Sequence, residues 1–423
     1  MNTFWTKIGI VFKDPVLKRR ILFTAGALVV FRLLASIPVP GIDVSTLDKL
    51  INSSQFFGML DLFSGGGISR LSIVMLGVGP YITASIIMQL LTMMVPSLKN
   101  MLHDDGEAGR MKLSQYSRVL SVPLAMIQSV GFLILLENQS VIPHLAPFVL
   151  LVNVLVVTAG SVLLMWIGEI ISEFGIGNGV SLIIFAGIIA RLPGVMGQFA
   201  AAFTAADIPI YLIGVAVAVI VIGAVVYITE AERSVPVTYA KQVRGNKVYG
   251  GVSTYLPLRL NQAGVIPIIF ALSILLFPNI IATFFSHSSN VIVATYATQV
   301  MAWVSNQWIY GIGYFILVFL FTYFYTAVTF DPQQISENLQ KSGAFIPGVR
   351  PGDSTMQYLA RVVTRITLVG ALFLGIIAVL PLIMQGFTGG TTFAIGGTAL
   401  LIVVSVVLDL VKKVDAQIAM REY

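Results

Sequence analysis

Few side chains in this 423-residue sequence have a type and spacing that could do chemistry. There is no cysteine, so disulfides, thiolate nucleophiles and cysteine-ligated zinc are excluded. The three histidines, His103, His144 and His287, all fall between the apolar stretches, which leaves none to relay protons at membrane depth. No HExxH, G-x-S-x-G or G-x-x-x-x-G-K-[ST] string occurs, which removes zinc proteases, serine hydrolases of that elbow type and phosphate loops. Glu137, Glu169 and Asp409 stand at the ends of apolar stretches, where an interfacial position accounts for them. Arg32 lies towards the end of the first stretch, where helix-to-helix hydrogen bonding accounts for it. These residues define neither an enzymatic step nor a cofactor or metal site. If the protein moves anything uphill, the energy must come from a partner.

The elements that hold these residues are membrane spans. Residues from the set AVILMFWYC make up 57% of the chain and charged residues only 10%, against about 25% charged in a typical soluble domain. Mean hydropathy is +0.91. Such a chain lacks the polar surface to coat a water-soluble body. Apolar stretches fall near 21–40, 72–95, 119–137, 147–168, 180–203, 208–228, 263–285, 308–330, 364–386 and 393–411. Each is long enough to cross a hydrocarbon core of about 30 Å as a helix. The fifth, interrupted by Arg191, Pro193 and Gly194, is expected to be short or tilted. The amino-terminal MNTFWTKIGIVFKDPVLKRR has no apolar core followed by a small-residue cleavage site, so no removable signal is expected.

The formal charge is +6, and its placement says more than its size. All Lys and Arg residues except Arg32, Lys49, Arg70 and Arg191 lie before the first span, after the last, or in the even-numbered connections, with Arg365 at the edge where the last of these meets the ninth span. The positive-inside rule then puts both termini in the cytoplasm. Trp5, Trp166, Trp303 and Trp308 all fall at or beyond span ends, where an indole prefers the headgroup zone. Ten spans cut at the middle give five and five. An odd half repeated in the same arrangement must enter the membrane inverted. The expected fold is therefore an all-α polytopic membrane protein, residues 1–205 forming one half and 206–423 the other.

Between the first two spans lies FFGMLDLFSGGGISR, residues 56–70. It is apolar, about half a span long, and runs into Gly65, Gly66 and Gly67. That length suits a re-entrant or interfacial segment. Two readings are open: a helix resting on the surface, or a stopper dipping into a cavity on a triple-glycine hinge.

Five strings, GPYITASIIMQLL (79–91), GIGNGVSLIIFAGI (175–188), QAGVIPIIFA (262–271), FIPGVRPG (345–352) and GGTALLIVVSVVLDL (396–410), closely resemble the bacterial SecY family. The resemblance runs in order along essentially the whole chain. It implies a protein-conducting channel of the cytoplasmic membrane, built of two inverted five-helix halves around a central pore. It further implies SecE and SecG as neighbours, the SecA ATPase or a ribosome as docking partners, and signal-bearing preproteins as cargo. The inverted-repeat secondary transporter of a small solute is the alternative. It needs ionisable or unwound polar groups at the midplane, and the spans offer few.

Matching motif to motif, the family's aliphatic waist falls on Ile82, Ile86, Ile184, Ile188, Ile269 and Ile402. An apolar collar holds back ions by dewetting yet yields to a peptide of any sequence. The resemblance favours the stopper for the short helix at 57–67, with Phe57, Met59, Leu60, Asp61, Leu62, Phe63, Gly65, Gly66 and Gly67 in the plug. It also implies a lateral slit between spans two and three on one side and seven and eight on the other. Through it a hydrophobic segment partitions into membrane lipid, with Gln128 and Asn261 as candidate latches. The long connections 230–262 and 330–363 carry arginine at turn-forming tips. Arg244, Arg350 and Arg361 are the candidate contacts for an acidic motor surface or for the phosphates of ribosomal RNA.

Overall fold

The computed structural model describes residues 14–40, 64, 67–68, 70–104, 106–138, 142–202, 208–240, 242–244, 247–249, 253–286, 290–388 and 396–419. The first helices are α1 (Pro15–Leu34), α2 (Gly79–Met94), α3 (Pro96–Asp104), α4 (Gly106–Asn138), α5 (Pro147–Phe174), α6 (Gly179–Ala202) and α7 (Ile208–Glu230). Four strands follow, β1 (Glu232–Tyr239), β2 (Gln242–Arg244), β3 (Lys247–Tyr249) and β4 (Ser253–Arg259). The chain continues through α8 (Ile266–Ser286), α9 (Val291–Ser305), α10 (Gln307–Thr329), α11 (Pro332–Lys341), β5 (Ala344–Phe345), α12 (Asp353–Thr388) and α13 (Gly396–Ala419). Every expected span falls on a helix. Among the described residues, the runs Gly106–Glu137, Pro147–Phe174, Trp308–Lys341 and Asp353–Ile383 are the ones long and apolar enough by themselves to cross a membrane.

The helix ends differ from the apolar stretches, because caps and prolines set them and hydropathy does not. α1 starts ahead of its stretch, where the Asp14 carboxylate accepts from the Val16 and Leu17 N–H groups and Pro15 occupies the first position. It stops at Leu34, and Pro38 leaves the helix to bridge Ser72. α2 begins only at Gly79, since 71–78 is a run of tight turns with Leu71 and Gly77 at φ of 43° and 59°. α6 is continuous through Pro193. A proline is tolerated there because membrane helices re-satisfy the freed carbonyl locally.

Packing divides the chain into two compact units. The first comprises Met1–Ala218, Ser273–Tyr310 and Pro381–Tyr423. In it, residues 37–39 pair with 71–73: the Val39 N–H donates to the Leu71 carbonyl at 2.7 Å and the Ile73 N–H to the Ile37 carbonyl at 2.9 Å. This knot is buried with Leu133, Leu136, Val154 and Val157 of α4 and α5. A second cluster joins Leu17, Ile176 and Ile418, so the start of α1, the turn after α5 and the end of α13 meet.

The second unit comprises Val219–Leu272 and Gly311–Leu380. Its centre is a three-stranded antiparallel sheet in the order β4-β1-β5, with Val235 opposite Leu256 and Thr238 opposite Phe345. The two long connections are therefore one structure, a β addition to a fold expected to be all helix. Val235, Val237, Leu258, Ala344 and Ile346 pack this sheet on Leu359, Val362 and Ile366 of α12. That burial is why α12 starts well before its apolar stretch.

Candidate functional site

All six aliphatic residues assigned to the waist are buried: Ile82, Ile86, Ile184, Ile188, Ile269 and Ile402 expose 8%, 3%, 1%, 4%, 6% and 2%. None faces the acyl chains. Five belong to the first compact unit and Ile269 to the second.

Each is placed by a local device. Ile82 and Ile86 project one turn apart from α2, whose start follows the buried 71–78 turns. Ile184 and Ile188 repeat that spacing on α6. There the turn from α5 is closed by Ser172, whose hydroxyl donates to the Gly168 carbonyl at 2.9 Å and accepts from the Gly179 N–H at 2.8 Å. Gly177 sits at φ +94°, and a β-carbon on Gly179 would lie 1.9 Å from the Gly168 oxygen. Gly179 is thus required by close packing and Gly177 by its backbone conformation. α13 lies against α6, with Leu410 over Gly177, which sets Ile402 on a helix in contact with the one bearing Ile184 and Ile188. Ile269 follows a turn with Gly264 at φ +61°, and its neighbour Phe270 meets Phe321 and Tyr325 edge-on.

Among the described residues, no Asp, Glu, Lys, Arg or His is buried; the buried polar groups are Ser, Thr and Asn side chains and the Tyr314 hydroxyl. Three charged pairs stand near the spans: Arg118 with Glu169 at 2.6 Å, Lys413 with Asp409 at 3.0 Å, and His144 with Glu137.

The plug residues Phe57, Met59, Leu60, Asp61, Leu62, Phe63, Gly65 and Gly66 lie outside the described residues. The foot of that segment is described. The Ser64 hydroxyl accepts from the Gly67 and Ile68 N–H groups, each at 3.1 Å. Gly67 is buried, and a β-carbon on it would come 2.9 Å from Ser72 Oγ and 3.0 Å from the Val74 carbonyl. Of the three glycines expected to form a hinge, Gly67 is the one described, and it is closely packed. Gly160 of α5 clamps the same segment, since a β-carbon there would lie 2.0 Å from the Ile73 carbonyl. A glycine facing a backbone in this way leaves no local signal in the sequence.

Gln128 is half-buried on α4 in the first unit. Asn261 is buried in the second, where its amide donates to the Gly264 carbonyl at 3.2 Å. That bond caps the turn before α8. Arg244 ends β2 opposite Lys247 on β3, at the tip of a ribbon with two residues between the strands. Arg350 and Arg361 are exposed. The Arg350 tip is held in shape, because the Thr355 hydroxyl donates to the Arg350 carbonyl at 2.9 Å and the Ser336 hydroxyl to the Gly352 carbonyl at 2.8 Å.

Helices long and apolar enough to cross a membrane, with no Asp, Glu, Lys, Arg or His among the described buried residues, define a helical membrane protein. A family model for SecY matches residues 72–411, and the chain belongs to the SecY family. It is 41% identical over 437 residues to the protein translocase subunit SecY of Mycobacterium bovis, covering 96% of each chain. A solved structure described as that of a protein-conducting channel matches with TM-score 0.65 and 19% identity, over 97% of this chain and 96% of that one. Sec61 in a canine ribosome–channel complex from the endoplasmic reticulum matches with TM-score 0.61 and 19% identity over the same shares. At that identity the likeness is one of fold.

Proposed function

We propose that this chain is the pore subunit of a bacterial protein translocase, passing unfolded secretory polypeptides across the cytoplasmic membrane and releasing hydrophobic segments sideways into lipid. The observation that carries this reading is the burial of all six aliphatic residues, with no Asp, Glu, Lys, Arg or His among the described buried residues. A collar of that chemistry offers an ion no ligands and a peptide no specific contact. The segment at 57–67 closes it from outside in the resting state.

Ten spans form two inverted halves, 1–205 and 206–423. These halves are a statement of symmetry, whereas the compact units group residues by packing. Both termini are cytoplasmic, supported by the one-sided placement of Lys and Arg. Gln128 and Asn261 border the lateral slit. SecE and SecG accompany the chain in the membrane, and SecA or a ribosome docks through Arg244, Arg350 and Arg361. The likeness to a channel solved on a ribosome supports the latter. The chain performs no catalysis, so ATP hydrolysis or chain elongation by the partner drives movement.

Vesicles holding this chain with SecE, supplied with SecA, ATP and a signal-bearing preprotein, should yield polypeptide protected from added protease. Uptake of a small solute with no protected polypeptide overturns the proposal.

A further inference from the structure

We infer that α9 (Val291–Ser305) lies along the membrane surface, with Ile292, Tyr296 and Trp303 in the boundary between lipid headgroups and acyl chains. The helix joins the end of α8 to the start of α10, two helices that fall on expected spans. Its sequence VIVATYATQVMAWVS carries no charge. At 15 residues it is about 22 Å long, too short to cross a bilayer.

Its surroundings divide it into three faces. Ala297 is buried and Val293, Ala294, Val300 and Met301 are half-buried, so this face packs on the protein. One flank shows Ile292, Tyr296 and Trp303 at 67%, 66% and 65% exposure, with the exposed Gln299 at its border towards the hydroxyl side. The other shows Thr295 and Thr298, with the Thr298 hydroxyl donating to the Thr295 carbonyl at 2.9 Å. A helix with protein on one side, large apolar and aromatic residues on the second and hydroxyls on the third fits the lipid–water boundary and no uniform solvent.

The level of the helix is set at both ends. Asn290 caps its start, its side-chain oxygen accepting from the Ile292 N–H at 3.1 Å. At the other end a single extended residue, Asn306, links α9 to α10. Its N–H donates to the Trp303 carbonyl at 3.2 Å, and its side chain accepts from the Trp308 N–H at 3.0 Å. Trp308 and Ile309 are exposed at the head of α10, and the exposed row Ile312, Ile316 and Leu320 continues along that helix. The aromatic flank of α9 therefore adjoins the point where a lipid-facing row begins. The occupant is the bilayer interface.

The absence of cysteine makes the test direct. Single variants Ile292→Cys, Tyr296→Cys, Trp303→Cys and Thr298→Cys of the full chain are spin-labelled in vesicles of equal phosphatidylcholine and phosphatidylglycerol. Collision with oxygen is then compared with collision with a water-soluble nickel chelate. The labels at 292, 296 and 303 should favour oxygen several-fold over the label at 298 and report depths of about 5–10 Å below the headgroups. Equal nickel access at all four positions overturns the inference. Because a label can disturb the helix, wild type and Trp303→Phe are also compared in vesicles of lipid brominated high on the acyl chain. Wild type should lose more tryptophan emission than the variant, and identical quenching likewise overturns it.

Discussion

A β-carbon on Gly179 would stand 1.9 Å from the carbonyl oxygen of Gly168. The two glycines let α5 and α6 meet backbone to backbone. Lipid tails are as apolar as leucine, so helices in a bilayer associate through such close approaches and not through a hydrophobic gain. Gly179→Ala should lower stability by about 1–3 kcal/mol, read as a drop in the thermal unfolding midpoint in detergent. An unchanged midpoint rejects the close approach.

Gly160 stands against the Ile73 carbonyl in the same way, at 2.0 Å. Gly160→Ala should displace residues 67–78, raise protease sensitivity there and reduce stability by a similar amount, about 1–3 kcal/mol. Gly26→Ala is the control, because nothing lies within 4 Å of the added carbon. That change should be neutral or stabilising by up to about 1 kcal/mol.

Ile86 and Ile188 expose 3% and 4% and carry no polar partner for an ion. Replacing both with asparagine or glycine wets the constriction, so ion leak in planar bilayers should rise. Conductance equal to wild type removes these residues from the waist.

Arg350 projects from a tip whose backbone is fixed by Thr355 and Ser336. Arg350→Glu reverses the charge without touching either bond. Preprotein translocation driven by SecA should weaken while membrane insertion of the chain stays normal. Wild-type translocation rates separate this arginine from partner docking.

Much of the architecture was legible because membrane residence acts on composition. A stretch of about twenty apolar residues reads as a helix from its own residues alone, and α5, α7 and α10 fall where the apolar stretches do. Helix ends were less legible. The Asp14–Pro15 cap and the sheet packed on α12 moved boundaries that hydropathy cannot register. The 175–188 string was recognisable, yet the reason for its glycines emerged only when Gly168 came into contact.

Taken alone, the sequence determined the membrane setting, the one-sided distribution of basic residues and the lack of reactive side chains, since each is a sum over local residue types. The tertiary structure decided that all six isoleucines are buried, that the two long connections share one sheet, and that Gly67 and Ile73 are closely packed. Those outcomes depend on partners distant in the chain, as when the Thr24 hydroxyl accepts from the Ile176 N–H at 3.2 Å. No local pattern encodes such a meeting; it follows only once helices have packed.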